Sequence, residues 1–354
     1  MTLLSHRTTE LVLSPPPGHP LLDLRPEISP LRDVIEQSIL DWADEFDLLD
    51  GEQARRKLAR THLGELVARA YPRIEPDRVR AIAGWFTWAF VIDDCYDRPV
   101  GGHADAVTRL LHVLTPDGTE ATTVRTRLDG ALARVWSELA RDRSPLWRMR
   151  FTQHMVQFVA AFKYEALNRG HRHTPSLVSY TQLRRASGGI TPSLDLLEAA
   201  TGQEVPALLH ESEQLRTMFD RASDVVVWVN DIVSLPKELR NGETTNGVLV
   251  LAQARGLDPQ SAVTAAYDLV ARQMEEFAAA EQDLDLLVRG WLGLDRAELD
   301  ALSSFVAGMK SWMRANLDWS NGCARYLVAD GVHLATDPGL VAPLPGATAH
   351  REQP

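Results

Sequence analysis

The sequence predicts an all-α protein built as one domain. Three observations carry that reading. Helix-compatible segments follow one another through most of the chain, no stretch of useful length alternates with the period of a strand, and neither an internal repeat nor a Pro- and Ser-rich linker divides the core. Length alone would allow two domains for 354 residues. The missing linker decides for one, of about 310 residues between positions 21 and 330.

The elements follow from their punctuation. Residues 1–20 contain "SPPPGHP" and read as a Pro-rich tail or a strap over the surface. Helices are expected over 30–46, 52–70, 76–97 and 104–115, the last stopped by "TPDG" at 115–118. The next, 121–141, ends at "RDRSP", and 147–168 ends at "NRGHRHTP". "SGGITP" at 187–192 separates 176–187 from 192–200; Gly frees the backbone there and Pro removes a donor. Segments 206–218 and 220–240 come next, the second closed by "RNGE" at 240–243. Helices over 244–254, 259–282, 285–292 and 297–328 complete the domain, and 331–354, rich in Pro and Gly, reads as a flexible tail.

Composition narrows the function. Apolar residues make up 45% of the chain, enough for a core, and 37 basic against 48 acidic residues leave a formal charge of −11. That balance argues against a nucleic-acid backbone or an anionic membrane as the main partner. Cys95 and Cys323 are the two cysteines, too few for a disulfide framework or a Cys-based zinc site, and they read as reduced thiols of a cytoplasmic protein. No basic segment followed by a long apolar stretch marks a secretory signal. The longest apolar run, Ala81 to Ile92 with Thr87 inside it, is too short for a membrane span and suits a buried helix. The histidines of "HRH" at 171–173 lack a Cys or Glu-x-x-His companion and read as solvated.

Two polar clusters interrupt apolar helices. In "AFVIDDCYDR", Asp93, Asp94 and Asp97 end the buried run, and Phe86, Phe90, Asp93 and Asp97 share one helical stripe. Two carboxylates one turn apart repel each other unless a cation lies between them, and oxygen ligands of this type suit Mg²⁺. Pairing with surface Lys or Arg is the alternative. In "VVVWVNDIVSLPKELRNGE", Asn230, Ser234 and Glu238 fall at i, i+4 and i+8, each turned only about 40° from the last. An amide, a hydroxyl and a carboxylate in line can hold small hard cations, with Lys237 alongside to meet a phosphate. A serine bonded back to its own helix is the ordinary alternative. Pro236 removes one helical bond, a cost of about 3 kcal/mol in a helix interior, and predicts a local kink.

Together, "DDCYD" and "NDIVSLPKE" resemble the two metal motifs of bacterial class I terpene synthases, over most of the chain from about Leu21 to Tyr326. The resemblance implies the class I terpenoid synthase fold, an α-helical barrel or bundle. It also implies three Mg²⁺ and a diphosphate, held on one side by Asp93 as main ligand, with Asp94 and Asp97 as ligands or as supports behind it, and on the other by Asn230, Ser234 and Glu238. Arg184 lies 46 positions before Asn230 in "YTQLRRASGG", which is similar to the family's diphosphate sensor region. Ser187 and Gly188 take the places of its linker and effector residues. "WSNGCARY" resembles the C-terminal Arg-Tyr pair, so Arg325 and Tyr326 would donate to the diphosphate.

The implied reaction is ionisation of an allylic prenyl diphosphate and cyclisation of the cation. The leaving diphosphate would be stabilised by Mg²⁺, Arg184, Lys237 and Arg325. Phe86 and Phe90, and after them Trp228, Trp312 and Trp319, are the rings available to stabilise positive charge, at about 0.5–2 kcal/mol each. Farnesyl diphosphate leads as substrate and geranylgeranyl diphosphate is second. A chain-elongating prenyl diphosphate synthase on the same fold would carry a second aspartate-rich motif where this chain has Asn-Asp-x-x-Ser-x-x-x-Glu. A helical scaffold would leave the registered oxygen ligands unexplained. A homodimer is compatible with the resemblance.

Overall fold

The computed structural model describes residues 11–96, 103–121, 124–171, 173–241 and 245–322. Among the described residues every regular element is helical. Asp97, Cys323, Arg325 and Tyr326 lie outside them, as do the side chains of Asp94 and Cys95.

The first four helices are α1 (Arg32–Glu45), α2 (Gly51–Arg60), α3 (Leu63–Ala70) and α4 (Val79–Tyr96). The segment 52–70, expected as one helix, is two. His62 sits at φ 48°, in the left-handed region that ends a helix, and the Trp319 indole N–H donates to the carbonyls of Thr61 (2.9 Å) and His62 (3.1 Å). A tertiary contact from the far end of the chain caps the break. Helices α5 (His103–Val113), α6 (Arg127–Ala140) and α7 (Pro145–His171) follow. The expected start of α6 at 121 moves to 127, because the Thr126 hydroxyl accepts the Asp129 N–H and sets the N-cap.

Helix α8 (Leu177–Ser187) stops at the glycine pair, and α9 (Ile190–Thr201) restarts at once. After the short α10 (Ala207–His210), α11 runs unbroken from Glu213 to Asn241 and continues through Pro236. The expected division near 219 is absent, since no Gly or Pro stands there and the Ser212 hydroxyl caps the helix earlier by accepting the Leu215 N–H. Helix α12 (Gly247–Arg255) precedes α13 (Pro259–Leu287), which passes directly into a π turn at Val288–Leu292 where two helices were expected. Helix α14 (Arg296–Gly322) closes the described chain.

Helix α9 is the axis of the packing. Every residue from Ile190 to Ala200 is buried, and α4, α7, α8, α11 and α14 all pack on it. A helix enclosed on all sides must pair any charge it carries. Asp195 and Glu198, both buried on α9, do so with α7: Arg150 Nε donates to Asp195 (2.9 Å), Arg150 Nη2 donates to Glu198, and His154 bonds Asp195 (2.6 Å). His210 and the Val205 N–H complete Glu198. Burial alone would push the Asp195 carboxyl up; His154 and Arg150 outweigh it and hold the group below the usual carboxylate range.

Residues 11–24 lie along α13 and α14. Val12 and Gln260 exchange hydrogen bonds, the Tyr267 hydroxyl donates to the Leu13 carbonyl (2.6 Å), and Arg314 donates to the carbonyls of Leu22 and Leu24. Among the described residues no helix is long and apolar enough to cross a membrane.

Candidate active site

The polar stripe predicted on α11 is present and sits in an apolar helix. Ser234 is buried, Asn230 and Glu238 are partly buried, and Val229, Ile232, Val233 and Leu235 around them belong to the core. The Ser234 hydroxyl lies 3.5 Å from the Asp231 carbonyl, at the limit of a hydrogen bond. Other helical serines close the bond back to their own helix tightly: Ser193 at 2.7 Å, Ser223 at 2.8 Å and Ser311 at 3.0 Å. The Ser234 hydroxyl is therefore not held in the tight back-bond of the other helical serines, and its oxygen lone pairs, which a back-bond does not use, remain available to a ligand.

Arg184, on α8, comes to this stripe across 46 residues. Its Nη2 donates to Asn230 Oδ1 and its Nε to Asp231 Oδ1, each at 2.9 Å, and Nη1 lies 3.5 Å from the Ser187 hydroxyl. The guanidinium is thus fixed on one edge by the buried Asp231 and held against the amide oxygen that heads the stripe. Lys237, partly buried, sits on the same helix one position before Glu238.

The α8–α9 joint explains why the sequence needs "GGITP" there. Gly188 caps α8, its N–H donating to the Arg184 carbonyl (2.9 Å), and Gly189 takes φ 63° to start α9. Pro192 is in the first turn of α9 and has no N–H, so the Gly188 carbonyl has no i+4 donor. Space is equally restrictive: a Cβ on Gly188 would lie 2.8 Å from Val227 Cγ1 on α11 and 3.0 Å from the Arg184 carbonyl. Gly188→Ala is expected to lower stability by about 1–3 kcal/mol through that overlap, whereas Gly170→Ala, with nothing within 4 Å, should leave the melting midpoint unchanged or raise it. Equal midpoints for the two variants in thermal denaturation would contradict the close α8–α11 approach.

Asp93 lies in the last turns of α4, partly buried. Phe86, about two turns below it on the same stripe, is buried in an aromatic cluster with Trp85 (4.8 Å between centroids), Tyr71 (5.8 Å) and Trp312 (5.9 Å). Phe90 meets Trp319 edge-on at 6.1 Å. These two contacts tie α4 to α14, so four of the five candidate rings form one wall. Trp228 stands elsewhere, packed edge-on against Tyr180 at 5.4 Å and against Gly247, between α8 and α12.

Among the described residues no three His, Cys, Asp or Glu side chains gather as a metal cage. The stripe on α11 is of another kind: an amide, a hydroxyl and one carboxylate, all oxygen donors, which fits a hard cation that completes its sphere with water and phosphate oxygens. Asp231 and Asn246 were not singled out from the sequence. The signal for Asp231 was an acid between Val229 and Ile232; that for Asn246 was an Asn-Gly step opening an apolar run, which the expected helix over 244–254 passed over.

The chain is similar to several known proteins. Residues 84–276 match the model of terpene synthase family 2, C-terminal metal binding. A (+)-T-muurolol synthase from Roseiflexus castenholzii, named as cyclising (2E,6E)-farnesyl diphosphate, is 31% identical over 304 residues, covering 84% of this chain and 90% of that protein. Pristinol synthase from Streptomyces pristinaespiralis is 31% identical over 305 residues, 84% and 82% of the two chains. Among solved structures, an α-eudesmol synthase superposes with a TM-score of 0.76 at 27% identity, covering 84% of this chain and 96% of that one. A linalool/nerolidol synthase from Streptomyces clavuligerus, in complex with 2-fluorogeranyl diphosphate, gives 0.74 at 27% identity over 83% and 100%. With its all-helical fold and these matches, the chain belongs to the terpene synthase family.

Proposed function

We propose that this enzyme ionises a linear prenyl diphosphate, farnesyl diphosphate first, and cyclises the resulting cation with release of diphosphate. The observation that carries the reading is the junction of Arg184 with Asn230 and Asp231 at 2.9 Å, directly above a buried Ser234 whose hydroxyl makes no tight bond. Several relatives are named for cyclising (2E,6E)-farnesyl diphosphate, which supports the C15 chain over C20.

In this reading Asn230, Ser234 and Glu238 hold Mg²⁺ on one side and Asp93 holds it on the other, with Asp94 and Asp97 as further ligands or supports; three ions are expected. Bound Mg²⁺ supplies charge stabilisation for the departing diphosphate. The chain's own residues do the rest. Arg184 presents its remaining N–H groups to a diphosphate oxygen while Asp231 keeps the guanidinium plane fixed. Ser187 and Gly188 end α8 beside that arginine, with the Ser187 hydroxyl 3.5 Å from its Nη1. Lys237, Arg325 and Tyr326 add donors to the same anion. The wall of Phe86, Phe90, Trp312 and Trp319 offers ring faces to a migrating positive charge and keeps water from it.

The test is product formation. Purified protein is incubated separately with C10, C15 and C20 diphosphates, with Mg²⁺ or with EDTA, and extracts are run by gas chromatography–mass spectrometry. The expected result is a cyclic hydrocarbon or alcohol from the C15 substrate with Mg²⁺ and none with EDTA. Product unaffected by EDTA, or only longer linear diphosphates when a C5 diphosphate is added, would overturn the reading.

A further inference from the structure

The Asn246–Gly247 step, which opens α12, makes contacts with α11 that a helix start does not need. Asn246 is fully buried. Its Oδ1 accepts the N–H groups of Val248 (2.9 Å) and Leu249 (3.4 Å), which is the N-cap. Its Nδ2 makes two more bonds: to the Asp231 carbonyl and to Glu238 Oε2, both at 2.8 Å. The orientation of the amide is set by this network, since turning it over would place its oxygen against a carbonyl and a carboxylate. Gly247 continues the connection, its N–H donating to Asp231 Oδ2 at 2.7 Å, while Asp231 Oδ1 accepts from Arg184. No side chain fits at 247, because a Cβ would lie 2.5 Å from the Trp228 ring and 2.8 Å from the Tyr180 hydroxyl.

We propose that Asn246 is a positioning residue for Glu238, and that the Asn246–Gly247 step is the fastening through which α12 sets both Glu238 and Arg184 for the bound metal and diphosphate. The inference rests on the metal assignment made above. Glu238 is partly exposed, two helical turns beyond Asn230, and an unsupported glutamate there would have three free torsions. Asn246 holds one of its carboxylate oxygens and leaves the other to face a cation. Groups that hold a ligating carboxylate in this way change metal affinity or activity by about 10–100-fold when removed. Arg184 is set by the same segment at one remove: Gly247 fixes Asp231, and Asp231 fixes the guanidinium.

Asn246→Ser separates this role from capping. Serine is as good an N-cap as asparagine, so helix α12 keeps its start, but the side chain has no N–H to reach Glu238. The full-length protein is titrated with Mg²⁺ in the presence of inorganic diphosphate in a calorimeter, with no prenyl substrate, and thermal unfolding is followed in parallel. The expected result is a rise of about 10–100-fold in the Mg²⁺ concentration giving half-saturation, with a melting midpoint close to that of the unsubstituted chain. In turnover the variant should need correspondingly more Mg²⁺ and recover most of its kcat when Mg²⁺ is raised. Unchanged Mg²⁺ affinity in Asn246→Ser would overturn the inference and leave Asn246 a cap. Should Asn246→Ser fail to fold, Asn246→Thr takes its place, and loss of folding in both also overturns it. No Mg²⁺-dependent diphosphate binding by the unsubstituted chain is a different outcome: it removes the metal assignment itself, and this inference with it.

Discussion

Glu238→Gln is expected to lower turnover of farnesyl diphosphate by at least about a hundredfold, the upper end of what loss of a mere supporting group costs a metal site, while circular dichroism shows the same helix content. Gln keeps the length of the side chain and can still pair with Asn246 after rotation of its amide, so the Asn246 contact at 2.8 Å has a substitute. What disappears is the negative charge, on a stripe where Asn230 and Ser234 contribute none. Asn230→Leu should do the same and also strip Arg184 of one of its two 2.9 Å acceptors. Full product formation by either variant would refute the metal assignment on α11.

The largest effect on stability is expected away from that stripe. Arg150→Ala leaves Asp195 and Glu198, whose side chains are 0% and 1% exposed, without their guanidinium partner on the most enclosed helix of the fold. Removing one partner of a buried ion pair costs about 3–5 kcal/mol, because the remaining charge is stranded. His154 and His210 still touch the two acids, so the cost belongs toward the lower end. By contrast Glu52→Ala, which breaks a pair with Arg56 in which both side chains are more than half exposed, should change stability by no more than about 0.5 kcal/mol. Denaturant midpoints of the two variants provide the comparison. The pH dependence has a definite sign. Because the Asp195 carboxyl is held low in the folded protein, its stabilisation is complete above its unfolded pKa of about 3.9 and is lost as pH falls through the lower folded value. Without Arg150 that acid limb should move to higher pH. Coincident denaturation curves for Arg150→Ala and the unsubstituted chain would show that the network carries no net stability.

Periodicity and breakers were enough to read the helical class and most element boundaries, because apolar stripes and Gly–Pro punctuation act locally. Two boundaries were shifted by local hydroxyl caps, Thr126 for α6 and Ser212 for α11, and one by a distant group. Trp319 caps the break at His62 from more than 250 residues away, and nothing in the segment 52–70 records it. The candidate site divides in the same way. Asn230, Ser234 and Glu238 were legible as oxygen donors in helical register, and Arg184 by its spacing from a motif. Asp231, Asn246 and Gly247 carry no chemistry that a register count could pick out; their meaning lies in bonds between α8, α11 and α12. The network of Arg150, His154, Asp195, Glu198 and His210 was invisible for a related reason. Charged residues on α7 and α9 read as solvent-facing until packing encloses α9 on every side.

In the proposed mechanism, Arg184 and the α11 stripe meet the diphosphate and its metal together. A crystal structure of the protein with Mg²⁺ and inorganic diphosphate tests that directly. The expected result is a metal bound by Asn230 Oδ1, Ser234 Oγ and a carboxylate oxygen of Glu238, with Arg184 donating to the diphosphate while its Nε remains on Asp231. A diphosphate bound elsewhere, or metal held without Asn230 and Glu238, would contradict it.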